Sequence, residues 1–205
     1  MPAQTLATEA IVLDRTASGD QWMRFTCFSA GHGNLDCLQR QSRRPGATTA
    51  LDLFDHAQLS LETRNNGRTW FIKEAATVAR HAGLGRSYDA LRHACRFARI
   101  LARNPVHEES RESVHALFVR ALGAWENQPR PDAVYFKALY LFTRDEGYPV
   151  RESWWTRLDT ADRDAVDAML HEPAAGQTTA ETTACRLIDA LETFVRHETE
   201  IRIEE

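Results

Sequence analysis

Three arginines, Arg40, Arg43 and Arg44, fall close together and no acid lies between them. A guanidinium is always charged, and its planar fork matches the oxygens of a phosphate. The residues just before them alternate as a strand does, with Leu35 and Cys37 on one face and Asn34 and Asp36 on the other, after a Gly-x-Gly turn at Gly31 and Gly33. A short strand feeding a basic, flexible loop suits a phosphate backbone. The same pattern suits a solvated surface hairpin. Arg15, Arg64, Arg68 and Lys73 extend the basic set by local pattern. Trp22, Phe28, Trp70 and Phe71 could stack bases or could fill a small core, and Trp70 shares a strand face with Arg68.

No set of residues spells a reaction. The chain has no phosphate-cradling G-x-x-x-x-G-K-[ST] loop, no G-x-S-x-G elbow and no H-E-x-x-H helix. Its histidines pair with no cysteine or carboxylate at a metal-site spacing, and His32 and His56 fall at polar positions that read as solvated surface. No catalytic residue, metal or cofactor is expected, and a non-enzyme is the reading. Cys27, Cys37, Cys95 and Cys185 are scattered and read as small buried residues, which fits a reducing cytoplasm.

The elements that must position these side chains fall into two runs. Residues 8–16 are apolar and β-branched at their centre, 22–28, 53–62 and 68–77 alternate with period two, the stretch Gly33–Arg44 is a third strand running into its basic loop, and Asn65-Asn66-Gly67 marks a hairpin. Five short strands in so few residues suit a small closed barrel such as an OB-fold. After Gly83-Leu84-Gly85 the period lengthens to that of a helix. Helices are expected near 88–103, with Leu91, Ala94, Cys95, Ala98 and Leu101 inward, and near 109–126, 132–145, 160–171 and 180–199. Trp154-Trp155 should anchor the bundle. The fold expected is α+β: a five-stranded OB-fold β-barrel over 1–80, binding nucleic acid, then an all-α bundle over 84–205.

At 205 residues, 43% hydrophobic and 26% charged, the chain can bury a core. No apolar run is long enough to span a bilayer, and the N-terminus has no basic stretch ahead of an apolar one, so neither a membrane anchor nor a signal peptide is expected. Residues 1–78 hold eight basic and eight acidic side chains, so the net charge of −4 sits in the remainder. A polyanion would therefore have to be gripped by a local patch.

The order of parts resembles the RecO family of bacterial DNA repair and recombination-mediator proteins. The resemblance rests on Glu9-Ala10-Ile11-Val12-Leu13, Phe25–Gly33, Leu38–Arg44, Leu53-Phe54, Leu84–Leu91 and Phe136–Tyr148. It implies binding of single- and double-stranded DNA, strand annealing, and recombinase loading alongside a RecR-like mediator and single-strand-binding protein, in the cytoplasm with the nucleoid. By position, Arg40, Arg43 and Arg44 match the family's basic segment. The four zinc-binding cysteines common in the family are missing from Pro149–Thr183, so no zinc is expected. Asn34 and Asp36 stand where the family is often basic or small, which opens an alternative: a protein-interaction adaptor that keeps the fold with little DNA affinity. Arg120, Lys137 or Arg144 could line a pocket for an acidic tail.

Overall fold

The computed structural model describes residues 3–41 and 50–204. It is α+β, with five strands followed by six helices. The strands are β1 (Gln4–Ser18), β2 (Trp22–Ser29), β3 (Gly33–Arg40), β4 (His56–Thr63) and β5 (Trp70–Ala79). The helices are α1 (Tyr88–Arg103), α2 (Arg111–Asn127), α3 (Pro131–Asp145), α4 (Val150–Ser153), α5 (Thr160–His171) and α6 (Glu181–Glu198). The chain divides into two compact units, Met1–His81 with Pro105–His115, and Ala82–Asn104 with Ala116–Glu205. No helix among the described residues is long and apolar enough to cross a membrane.

In the first unit the strands pair in the order β1-β2-β3-β5-β4, and β4 returns to β1, so the sheet closes. β1 is much longer than its alternating core predicts because two partners share it. Gln4–Ile11 pairs with β4, Ile11–Ser18 pairs with β2, and the register shifts between Val12 and Asp14 as the strand bends from one to the other. β3 and β5 run parallel through Cys37–Trp70 and Leu38–Phe71. Asn66 and Gly67, both at positive φ (57° and 77°), are the centre of a turn in the loop joining β4 to β5, with the Arg68 amide donating to the Asn65 carbonyl at 3.4 Å. β4 starts three residues later than its sequence suggests. Asp52–Asp55 forms a turn, with the Asp55 carboxylate accepting from the Asp52 amide at 2.9 Å and Phe54 at φ 65°.

Phe25, Cys27, Leu35, Cys37, Leu59 and Leu61 lead the interior cluster. Cys27 and Cys37 are free thiols deep inside, and the Cys27 thiol is pushed well up by its hydrogen bond with Cys37 and by burial. Outside that cluster Ile11, Leu13 and Phe28 are also fully buried. Phe28 is covered by His115, ring centres 6.2 Å apart.

In the second unit α3 touches α1, α5 and α6. Ser87 caps α1 by accepting from the Ala90 amide, and Asp159 caps α5 by accepting from the Asp162 amide. The buried stripe of α1 runs through His93, Phe97 and Ile100 as well as Ala94, Ala98 and Leu101, whereas Leu91 and Cys95 are only half-buried. Phe97 holds the stripe in place, with ring centres 5.8, 6.2 and 5.9 Å from Phe118, Trp125 and Phe142. Cys185, expected inside, is exposed because Ala184 takes the inward position. Of the tryptophan pair, Trp154 is the anchor, packed on Phe136 at 6.1 Å, while the Trp155 ring carries the guanidinium groups of Arg151 and Arg163 at 5.1 and 4.9 Å.

Candidate nucleic-acid interface

Alternation along β2, β3 and β5 sends one set of side chains into the closed sheet and the other outward. Trp22, Arg24, Asp36, Leu38, Arg40 and Phe71 form the outward set. Register fixes their neighbours: Trp22 lies opposite Arg40, Arg24 opposite Leu38, and Leu38 opposite Phe71. Trp22 and Phe71 meet edge to face across this surface, ring centres 5.6 Å apart, and both are half-buried.

The cations around this pair are unequal. Arg24 is held bidentately by Asp36, at 2.7 and 2.8 Å, and the Thr69 hydroxyl donates to the same carboxylate at 3.3 Å. Lys73 lies 3.0 Å and Arg64 3.5 Å from Glu62, whose carboxyl is held below its usual range by Lys73 first and Arg64 after it. Arg15 donates to Asp52 at 2.7 Å. Arg40 differs: it is exposed, and among the described residues it meets the neutral amide oxygen of Gln21 at 3.3 Å and no carboxylate. Arg68 is exposed too and makes no ion pair among the described residues, but it precedes β5 and lies beyond the paired stretch. Arg43 and Arg44 lie outside the described residues.

Trp70 is not on the outward face. It packs half-buried against the interior cluster beside Ile72, and a Cβ at Gly67 would lie 3.4 Å from its ring. Phe71 is the outward aromatic of β5, so the stacking role foreseen for Trp70 moves to Trp22 and Phe71. Phe28 is likewise removed from the candidate face by burial. His56 departs most from its sequence reading. It is buried, with Nε2 2.6 Å from Glu9 Oε1 and its ring centre 5.3 Å from that of His115. The His56–Glu9 contact is close without the alignment of a hydrogen bond. His115 is kept below the usual imidazole range by burial first and by His56, against the pull of Glu9. Nothing local in the sequence announces that the segment Pro105–His115 belongs with the strands.

The second unit holds an apolar groove of about 480 Å³ between α2, α3 and the segment after α5, floored by Leu117, Ala121, Ala138 and Met169. Arg120 and Lys137 line it. Arg144 does not; it faces a separate cavity and donates to Asp145 at 3.0 and 2.7 Å. Neither a protein-family model nor a curated protein sequence matches this chain.

Proposed function

We propose that the chain binds single-stranded nucleic acid on the outward face of β2, β3 and β5, and that it acts as a recombination mediator of the RecO kind, promoting annealing and recombinase loading with a RecR-like partner. The observation that carries the reading is the Trp22–Phe71 pair beside Arg40, a cation that meets no carboxylate among the described residues. Aromatic faces hold bases whatever their sequence, and a guanidinium beside them holds the backbone. The strand order 1-2-3-5-4 with closure onto β1 is the arrangement an OB-fold reading needs, and that fold binds oligonucleotides on its second and third strands. The test is fluorescence anisotropy with a labelled single-stranded oligonucleotide at two ionic strengths. Trp22→Ala with Phe71→Ala should weaken binding roughly ten- to hundred-fold at either salt, since stacking gives about 1–3 kcal/mol per base. Arg40→Ala should flatten the salt dependence by about 0.7 in log–log slope. Wild-type affinity and slope in both variants would remove this face from consideration.

A second reading, a protein-interaction adaptor, is favoured by the groove of the helical unit. An apolar floor lined by Arg120 and Lys137 suits a short peptide that is both acidic and hydrophobic, such as the tail of single-strand-binding protein. Capture of such a peptide by a protein that ignores oligonucleotides would favour the adaptor.

A further inference from the structure

The unit that carries the chain's acidic excess also carries a row of arginines. Arg92, Arg96, Arg99 and Arg103 follow one another along α1 at helical spacing and share one face. Each has a different fate. Arg92 lies 3.4 Å from Asp89. Arg96 donates to both oxygens of the buried Glu192, at 2.6 and 2.7 Å, and lies 5.1 Å from the centre of the Tyr135 ring. Arg103 pairs with Glu204. Arg99 is exposed and makes no ion pair among the described residues.

A fifth arginine is brought to the row by design of the backbone. The Asn104 side chain donates to the Ile100 carbonyl at 2.8 Å and to the Arg202 carbonyl at 3.0 Å, and it accepts from the Arg202 amide at 2.8 Å. This clamp, with Ile201 buried next to it, fixes the segment after α6 against the end of α1. Arg202 then faces a cavity of about 70 Å³ shared with Arg96, Arg99, Arg103 and Tyr135. Four guanidinium groups surround it, against the carboxylates of Glu204 in its lining and Glu192 behind Arg96. Both Arg99 and Arg202 are exposed, and among the described residues neither makes an ion pair.

We propose that this cluster is a second phosphodiester-binding site, on the helical unit, in which Arg99 and Arg202 hold the backbone of a nucleic-acid strand. It rests on the reading of the chain as a nucleic-acid binder but uses none of the sheet residues. A cavity this small takes one compact anionic group, and guanidinium forks suit phosphate oxygens. The row continues along α1 at an axial repeat of about 5 Å, which serves a polymer of spaced phosphates better than a lone anion. An acidic peptide would need room for apolar anchors, which the 480 Å³ groove lined by Arg120 and Lys137 has; this cavity of about 70 Å³, with Ile100, Ile203 and Tyr135 in its lining, is too small to take them. Two phosphate-holding faces on one chain would neutralise phosphates on two strands at once, which favours annealing.

The experiment uses the full chain and a labelled single-stranded oligonucleotide across a salt titration, with R99A/R202A and R99K/R202K beside W22A/F71A. Both arginines are exposed, so R99A/R202A should melt as the wild type does. Its log–log salt slope should fall by about 1.4, two single-strand contacts at about 0.7 each, and annealing of complementary oligonucleotides should slow. R99K/R202K should keep the slope. If R99A/R202A keeps wild-type affinity, slope and annealing while W22A/F71A weakens binding, the helical site is wrong and the sheet reading stands. If R99A/R202A loses binding and W22A/F71A does not, the helical site stands and the sheet reading falls. No binding by the wild type ends both. A glutamate-rich peptide held by the wild type and lost in R99A/R202A, with the oligonucleotide slope unchanged, would overturn the assignment in favour of an acidic partner.

Discussion

On the sheet, Arg15, Arg24 and Lys73 each meet a carboxylate at 2.7–3.0 Å, whereas Arg40 makes no ion pair among the described residues. On the helical unit one carboxylate, Glu192, is buried beneath Arg96 and Arg196, while Arg99 and Arg202 stay open. The sheet unit is close to neutral by count, with ten basic and eleven acidic side chains, and its acids Asp36 and Glu62 sit on strands beside Arg24 and Lys73. The helical unit is acidic by count yet gathers a basic row. Net charge is therefore a poor guide to where positive potential lies. What decides is whether an acid falls at the adjacent register on a strand or at the adjacent turn of a helix.

The largest test of this contrast removes the helical anchor. Glu192 is 1% exposed and also accepts from the buried Tyr135 hydroxyl at 2.7 Å. Glu192→Ala leaves that hydroxyl without its acceptor and two guanidinium groups without their counter-charge. A loss of roughly 3–5 kcal/mol in stability is expected, as for other broken buried pairs. Glu192→Gln, which can still accept from Tyr135, should lose less. Thermal melts that match the wild type for both would mean that the arginine row needs no anchor.

A smaller effect comes from protons. His93 is buried against Tyr135, ring centres 4.9 Å apart, between Arg92 and Arg96. Burial first, then the two guanidinium groups, push its pKa down to about 4, against the opposing pull of Asp132 and Asp89. A histidine that stays neutral when folded takes up its proton more readily once unfolded. Its contribution is therefore whole above about pH 6.5 and is lost as pH falls toward about 4, by up to roughly 3 kcal/mol. Asp132, held down by Arg130 despite burial, acts in the same direction at lower pH. His93→Leu should melt with a flatter dependence between pH 6.5 and 4.5. An unchanged curve would show that His93 takes up its proton as readily in the folded protein as in the unfolded one.

Much of this was legible in the chain. β2 and β3 alternate because one face is inside, and the Asn65–Gly67 turn and the Ser87 and Asp159 caps announce themselves by residue type. What was not legible came from distant sequence. Phe28 and His56 look outward by phase, yet His115, far along the chain, covers one and packs against the other. Trp70 and Phe71 are adjacent, so a one-residue uncertainty in phase exchanged their faces. On α1, Phe97 and His93 were hidden among arginines. Those arginines carry their own signal, the spacing of Arg92, Arg96, Arg99 and Arg103, within a half whose total charge is acidic.

The finest test unmasks the sheet. Asp36 is the carboxylate that sets Arg24 apart from Arg40, and the pair is exposed enough that losing it should change stability by no more than about 1 kcal/mol. Asp36→Asn keeps the size of the side chain and frees the guanidinium beside Leu38 and Phe71. If phosphates track this face, the salt slope for single-stranded oligonucleotide should steepen by about 0.7 and affinity should rise several-fold. Arg24→Ala should then matter in the Asp36→Asn background and hardly at all in the wild type. That dependence of one substitution on the other separates a masked contact from a general change in net charge, because Asp14→Asn adds the same charge to an exposed part of β1 and should leave the effect of Arg24→Ala unchanged. Equal responses in the two backgrounds would place the strand elsewhere, and the sheet would then owe nothing to the register that sets Asp36 against Arg24.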